Sequence, residues 1–208
     1  MDEFSPDIPK TLGRAAMRAT RVMRLREPHV APLTEFVESL RERMGPEYSI
    51  PYVDPWDGGV EARLLYLLEA PGPRAVRSGF VSRNNPDETA KNFFELNQEA
   101  GIDRRLTVIW NVVPWYIGDG RRIRAAKRED LSAGTESLRE LVALLPRLEV
   151  VVLVGRKAGN ARGLVEGIAP KSRIFECPHP SPMFVNRATG NRERILGVLR
   201  EVRSALGA

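Results

Sequence analysis

EVVVLVG, residues 149–155, sets five branched apolar residues in a row and stops at glycine. A strand with one face in water alternates apolar and polar side chains. An unbroken run belongs to a strand covered on both faces, as in a parallel sheet flanked by helices. Three further runs share this character. RLLYLLE (63–69) ends at a Pro-Gly-Pro break, LTVIWN (106–111) leads into Val-Val-Pro, and SRIFECP (172–178) leads into His-Pro-Ser-Pro.

Helical patterns separate the runs. DETAKNFFELNQEAG (87–101) opens on an aspartate suited to capping and closes on Gly101. REDLSAGTESLRELVALLP (128–146) puts Leu138, Leu141, Val142 and Leu145 on one face and stops at Pro146. RKAGNARGLVEGI (156–168) is a glycine-rich, weaker helix pattern, and GNRERILGVLREVRSALG (190–207) aligns Ile195, Val198, Leu199 and Val202. Four strands alternating with helices predict an α/β fold: a three-layer α/β/α sandwich around a central four-stranded parallel sheet.

Residues 1–48 read as helical and basic, with TLGRAAMRATRVMRLRE (11–27) and PLTEFVESLRERMG (32–45) as the two patterns and Gly45 as a stop. YSIPYVDPWDGG (48–59) reads as a loop. The expected organisation is one domain over 1–208, with 1–60 a helical and loop extension packed on it. No repeat, linker or low-complexity segment interrupts the chain.

Composition bounds the function. The chain has 208 residues, 42% hydrophobic and 28% charged, which is ordinary for a globular protein. No apolar run approaches the ~20 residues of a membrane span, and the Met-Asp-Glu-Phe start has no apolar leader core. A cytoplasmic protein without a membrane partner is the expectation. A single cysteine, Cys177, excludes an internal disulfide and a four-cysteine cluster, and with only His29 and His179 beside it no metal or other cofactor is expected. The net charge of +5, carried largely by arginine, points toward a phosphate-bearing partner. An arginine-rich genome would give the same balance.

In an open parallel sheet, ligands bind beyond the carboxyl ends of the strands. Those exits hold the unusual residues here. His179 lies between two prolines, with Ser-Pro following, so its ring sits on a stiff loop and is placed before any ligand arrives. A neutral imidazole there donates one hydrogen bond to developing negative charge. Asn111 directly follows a strand; it is either an Asx-turn residue or an amide that reads a base edge. Phe80, in SGFVS, either plugs the core or forms a stacking platform. Glu69, Asn84, Asn85 and Asp87 are loop carboxylates and amides able to position water. Met183 and Phe184 are apolar residues at a loop tip, followed by Arg187. Such residues either fold back onto the core or wedge between bases. Arg121 and Arg122, on the second exit, are phosphate contacts or a solvated charge run.

The motifs LEAPG (68–72), SGFV (78–81), WNVVPWY (110–116) and HPSP (179–182), in this order and at these strand exits, resemble those of the uracil-DNA glycosylase superfamily, in the version used by its fourth and fifth families. The resemblance covers roughly residues 63–205. It implies that Phe80 stacks on a flipped base, that Asn111 bonds its Watson–Crick edge and that Ala70 and Gly72 line the base pocket. It further implies that His179 stabilises charge on the leaving base, that Ser181 and its prolines grip the backbone, and that Met183 or Phe184 fills the vacated stack. The implied activity is monofunctional hydrolysis of the N-glycosidic bond of uracil in DNA. A glycosylase for another modified base, or a catalytically weak DNA-binding member of the fold, is the alternative. DNA is the expected partner and a monomer the expected state. The pattern departs at Ala70, where the best-known enzymes carry a water-handling aspartate, so Glu69, Asn84 or Asp87 would take that task. It departs again at Leu68, where the fourth and fifth families carry glycine, and in lacking the cysteines of their iron–sulfur cluster.

Overall fold

The computed structural model describes residues 7–119, 124 and 126–207. Six strands run through them: β1 (Tyr52–Val53), β2 (Leu64–Leu68), β3 (Phe80–Val81), β4 (Thr107–Asn111), β5 (Val150–Val154) and β6 (Arg173–Cys177). The helices are α1 (Ala15–Met23), α2 (Ala31–Met44), α3 (Pro73–Ser78), α4 (Glu88–Glu99), α5 (Arg128–Ala143), α6 (Arg156–Gly159), α7 (Arg162–Ile168), α8 (Pro182–Val185) and α9 (Asn191–Ala205).

The four apolar runs form one parallel sheet in the order β4-β2-β5-β6. Its two inner strands, β2 and β5, are the most continuously apolar, because neighbours cover both edges and helices cover both faces. β6 lies at an edge and is only partly buried, so its run has a polar side that the others lack. The opposite edge, β4, is buried throughout. The segment before β2 covers its start, with Gly58 N donating to Thr107 O at 2.8 Å.

Alternation along β4 separates the two faces. Trp110 packs on Phe36 of α2, with ring centroids 5.6 Å apart. Ile109 and Asn111 point the other way, toward α4. On that same side Tyr66 of β2 meets Phe93 of α4 edge-on, 4.7 Å between centroids. Helices α2, α5 and α7 thus belong to one layer and α4 and α9 to the other, and these contacts complete the three-layer sandwich.

The 48–59 segment departs from the loop expectation. Tyr52 and Val53 pair in parallel with Phe80 and Val81, making a second, two-stranded sheet. Strands of two residues leave no apolar run in the sequence, so periodicity does not reveal them. Residues of the N-terminal segment join the cores, Leu33, Phe36, Val37 and Leu40 of α2 beneath the main sheet and Leu12 and Leu25, on either side of α1, beneath Phe80.

Leu65, at the centre of β2, is 1% exposed, whereas Leu131 on α5 is 42% exposed. Leu65→Ala is expected to cost about 2–5 kcal/mol and Leu131→Ala less than about 0.5 kcal/mol, read from urea unfolding midpoints. Equal effects would contradict the sheet assignment.

Candidate active site

A cleft of about 360 Å³ opens at the carboxyl edge of the main sheet. Leu68, Ala70, Pro71 and Gly72 from the β2 exit, Ile109 and Asn111 from β4, and His179 and Pro180 from the β6 exit line it. Its fourth wall is the segment from β3 into α4, contributing Val81, Ser82, Arg83, Asn85, Asp87 and Phe93.

Backbone pairing fixes the height of each group. Leu68 is in register with Asn111, and the pairing continues past the strand ends: Val112 N donates to Leu68 O at 2.8 Å and Val113 N to Glu69 O at 2.9 Å. Asn111 therefore cannot slide relative to Ala70. Its side chain is 2% exposed and its Nδ2 lacks a hydrogen-bond partner among the described residues. An unsatisfied buried donor costs about 1–3 kcal/mol. Asn111 lines the cleft, so a small turn of its amide would bring this buried donor to an acceptor on a ligand.

His179 is held from two sides. Pro180 O accepts from Asn92 Nδ2 of α4 at 3.0 Å, which ties the rigid loop across the cleft wall. Behind the ring, Gly155 has φ 86°, and a Cβ there would stand 3.2 Å from the His179 Cβ. Glycine is required at the β5 exit both for its left-handed backbone and for this approach. Burial lowers the His179 pKa below its ordinary value of 6.5, and the charges of Glu69 and Asp87 pull weakly the other way. The ring is therefore neutral at pH 7.

Asp87 caps α4, one oxygen accepting from Ala90 N at 2.9 Å, and its carboxylate lines the same cleft. Ala70 and Gly72 also line it, as expected. Three residues read from the sequence as site groups are placed elsewhere. Phe80 is 1% exposed and packs on Leu12, Leu25 and Tyr52, facing away from the cleft. Neighbouring strand residues point to opposite faces, so Val81 takes the cleft side and Phe80 the other. Asn84 is fully buried, its amide donating to Asp7 and Ile8 and accepting from Arg104, so it has no capacity left for water. Glu69 lies outside the cleft lining, its carboxylate 3.7 Å from Lys157 Nζ.

At the tip beyond His179, Ser181 caps α8, its Oγ accepting from Phe184 N at 3.3 Å. Met183 is 82% exposed. Phe184 folds back onto the core, leaving Met183 as the free apolar tip. Arg187 is exposed beside it. Arg121 and Arg122 lie outside the described residues. Sequence reading missed Phe93, which supplies the aromatic wall that Phe80 does not, and Arg74, exposed at the cleft mouth. Phe93 reads as one more core residue of an amphipathic helix, and only its seat on Tyr66 turns it toward the ligand space. Among the described residues no group of His, Cys, Asp and Glu has the arrangement of a metal site.

Comparison with known proteins bears on this geometry. The Uracil DNA glycosylase superfamily model matches residues 55–203. The crystal structure of wild-type Pedobacter heparinus SMUG2 superposes with a TM-score of 0.55 at 13% identity, over 88% of this chain and 86% of that one. A Methanosarcina acetivorans protein described as a candidate uracil DNA glycosylase, solved by solution NMR, gives a TM-score of 0.49 at 17% identity, over 69% of this chain and 92% of that one. At such identities the shared property is the fold. No curated protein sequence matches the chain.

The lowered His179 pKa has a sign that can be checked. As pH falls through 6.5 the unfolded chain takes up a proton before the folded one does, so this residue's contribution to stability is complete above that pH and is lost below it. NMR titration of the ring is expected to give a midpoint under 6.5; a midpoint above it would mean a charged, solvated ring.

Proposed function

This chain belongs to the uracil DNA glycosylase superfamily, and from that premise we propose that it is a monofunctional DNA glycosylase that hydrolyses the N-glycosidic bond of uracil flipped out of DNA. The observation that carries this reading is the unpartnered Asn111 amide donor in one cleft with a neutral His179 and the Asp87 carboxylate.

The chemistry follows from their positions. The flipped base enters the cleft against Phe93. The Asn111 Nδ2 donates to a base carbonyl, and the amine that replaces that carbonyl in a cytosine would leave two donors facing each other. As the C1′–N1 bond breaks, its electron pair moves onto the base. The His179 N–H stabilises this charge without itself being ionised. Asp87 retains lone pairs beyond its helix cap and orients water toward the oxocarbenium-like C1′. The water oxygen bonds to C1′ and gives up a proton to the Asp87 carboxylate, the base anion takes up a proton from solvent, and the products are free base and an abasic sugar. Met183 fills the gap in the stack, and Arg74 and Arg187 meet phosphates.

A second reading is favoured by one feature. Ala70, Gly72, Ala75 and Ala90 line the cleft, and a Cβ added to Gly72 would meet nothing within 4 Å. This open, small-residue wall suits a pyrimidine with a substituent as well as uracil.

Base release from an oligonucleotide panel tests both readings. Uracil release is expected, with His179→Ala reducing turnover on the order of 100- to 1000-fold at near-constant DNA affinity. Asp87→Asn keeps the helix cap and loses the charge, so it is expected to slow turnover without unfolding α4. Asn111→Asp is expected to weaken discrimination against cytosine. Release of a substituted pyrimidine but not uracil would favour the second reading, and DNA binding with no release of any base would refute both. Binding is expected to weaken steeply with salt through counterion release.

A further inference from the structure

We propose that Arg21, on α1, is a positioning residue that sets the cleft wall from outside the cleft, through a buried ionic latch joining the N-terminal segment to residues 82–87. The proposal rests on the cleft's being the site of base excision. It assigns a role to a stretch upstream of residue 55, where the superfamily match begins.

Arg21 is fully buried, an unusual place for a charge on a short amphipathic surface helix. Its Nε donates to Asp54 Oδ1 at 2.8 Å, and neither side chain is exposed at all. The guanidinium lies flat on Trp56, Cζ 3.1 Å from the ring centroid. From Asp54 the contacts run directly into the cleft wall. Asp54 Oδ2 accepts from the Ser82 hydroxyl, and Ser82 Oγ in turn accepts from Asn84 N at 2.9 Å. Arg21 Nη2 approaches Asn84 Oδ1 at 3.5 Å, and Arg104 Nη1 reaches the same oxygen at 2.9 Å. Asn84 Nδ2 then donates to Asp7 and Ile8, while Leu12 N donates to Asn84 O at 3.1 Å. Arg104 closes the cluster on Asp57 and Asp7.

Every residue from 82 to 85 is buried, and Ser82, Arg83, Asn85 and Asp87 face the cleft. This wall begins at a two-residue strand and ends at the Asp87 cap, so regular backbone pairing does little to hold it. The latch supplies the missing constraint. A buried ion pair adds little stability over apolar residues of the same volume, so stability alone does not account for it. Charged and hydrogen-bonding groups differ from apolar filler in accepting one geometry, and that geometry places the Asp87 carboxylate opposite His179.

Two variants test this. Arg21→Lys keeps the charge but loses the planar fork. Arg21→Met with Asp54→Leu removes both charges and refills the volume. Hydrogen exchange should accelerate at least about 10-fold at residues 80–90 in the double variant, with β2, β4 and β5 as protected as in the wild type. Wild-type exchange at 80–90 overturns the latch, and so does equal loss of protection across the sheet, which would make the cluster a general stabiliser. Single-turnover base release should fall up to about 100-fold in the double variant and less in Arg21→Lys, at DNA affinity within about 2-fold of wild type. An unchanged rate overturns the link to the site. If the wild-type protein releases no base at all, the glycosylase reading fails while the exchange measurement still judges the latch.

Discussion

The parallel register of the main sheet is the constraint from which the site follows. Four strands that run the same way must all end at one edge, and their pairing fixes how far each exit projects. Leu68 opposite Asn111 and Val154 opposite Cys177 are the last pairs. At these pairs or just beyond them stand Ala70, Asn111, Gly155 and His179, with more than a hundred residues of chain between the first and the last. A one-residue slip in β4 would turn Asn111 to the α2 face and bring Trp110 into the cleft. The packing of Trp110 on Phe36 opposes that slip, so the core residue secures the functional one.

Local patterns made the main sheet legible. The four apolar runs fall on β2, β4, β5 and β6, and the capping signal at Asp87 marks the start of α4. The rule that ligands sit beyond parallel strand ends brings His179 and Asn111 together from the sequence alone. Phe80 escaped it. Whether an aromatic at a strand exit faces the ligand or the interior depends on the parity of a two-residue strand and on its partner, Tyr52, which lies in a stretch that reads as loop. Asn84 escaped it too. Its neighbours Asn85 and Asp87 face the cleft, and only its bonds to Asp7, Ile8 and Arg104 distinguish it from them. Such side-chain direction is set by tertiary contacts with distant segments, which a linear pattern does not carry.

The energetics of the cleft are uneven in an informative way. Asn111 leaves a buried donor unsatisfied, and His179 is pressed toward its neutral form by burial. The first is a cost to the empty protein that a ligand's carbonyl would remove, and the second keeps the ring an uncharged hydrogen-bonding group. Asp54 behaves oppositely. Burial alone would raise its pKa, yet Arg104 and Arg21 hold it below the usual carboxylate range. One of the buried polar atoms left without a partner thus belongs to a residue of the cleft lining, while the wall behind it is held by Asp54 paired with Arg21 and Arg104.

That division bears on how such a site tolerates change. A loop held by backbone pairing loses shape only when its strands separate. The 82–87 wall instead takes its shape from side chains on four separate stretches of chain: Asp7, Arg21, Asp54 and Arg104. Loss of Asp54 leaves Arg21 buried without its carboxylate, and loss of Arg104 leaves Asp57 without its guanidinium, so a single substitution at either acts on the whole cluster. The resemblance of the LEAPG motif implies an aspartate where this chain has Ala70, and Asp87 is the carboxylate that faces the same cleft from the opposite wall. On the proposed mechanism, in which Asp87 orients the water, the far wall has to be rigid, because Asp87 reaches the reacting carbon only if residues 82–87 hold their place. On that mechanism the alanine at position 70 and the buried arginine on α1 are two parts of the same arrangement.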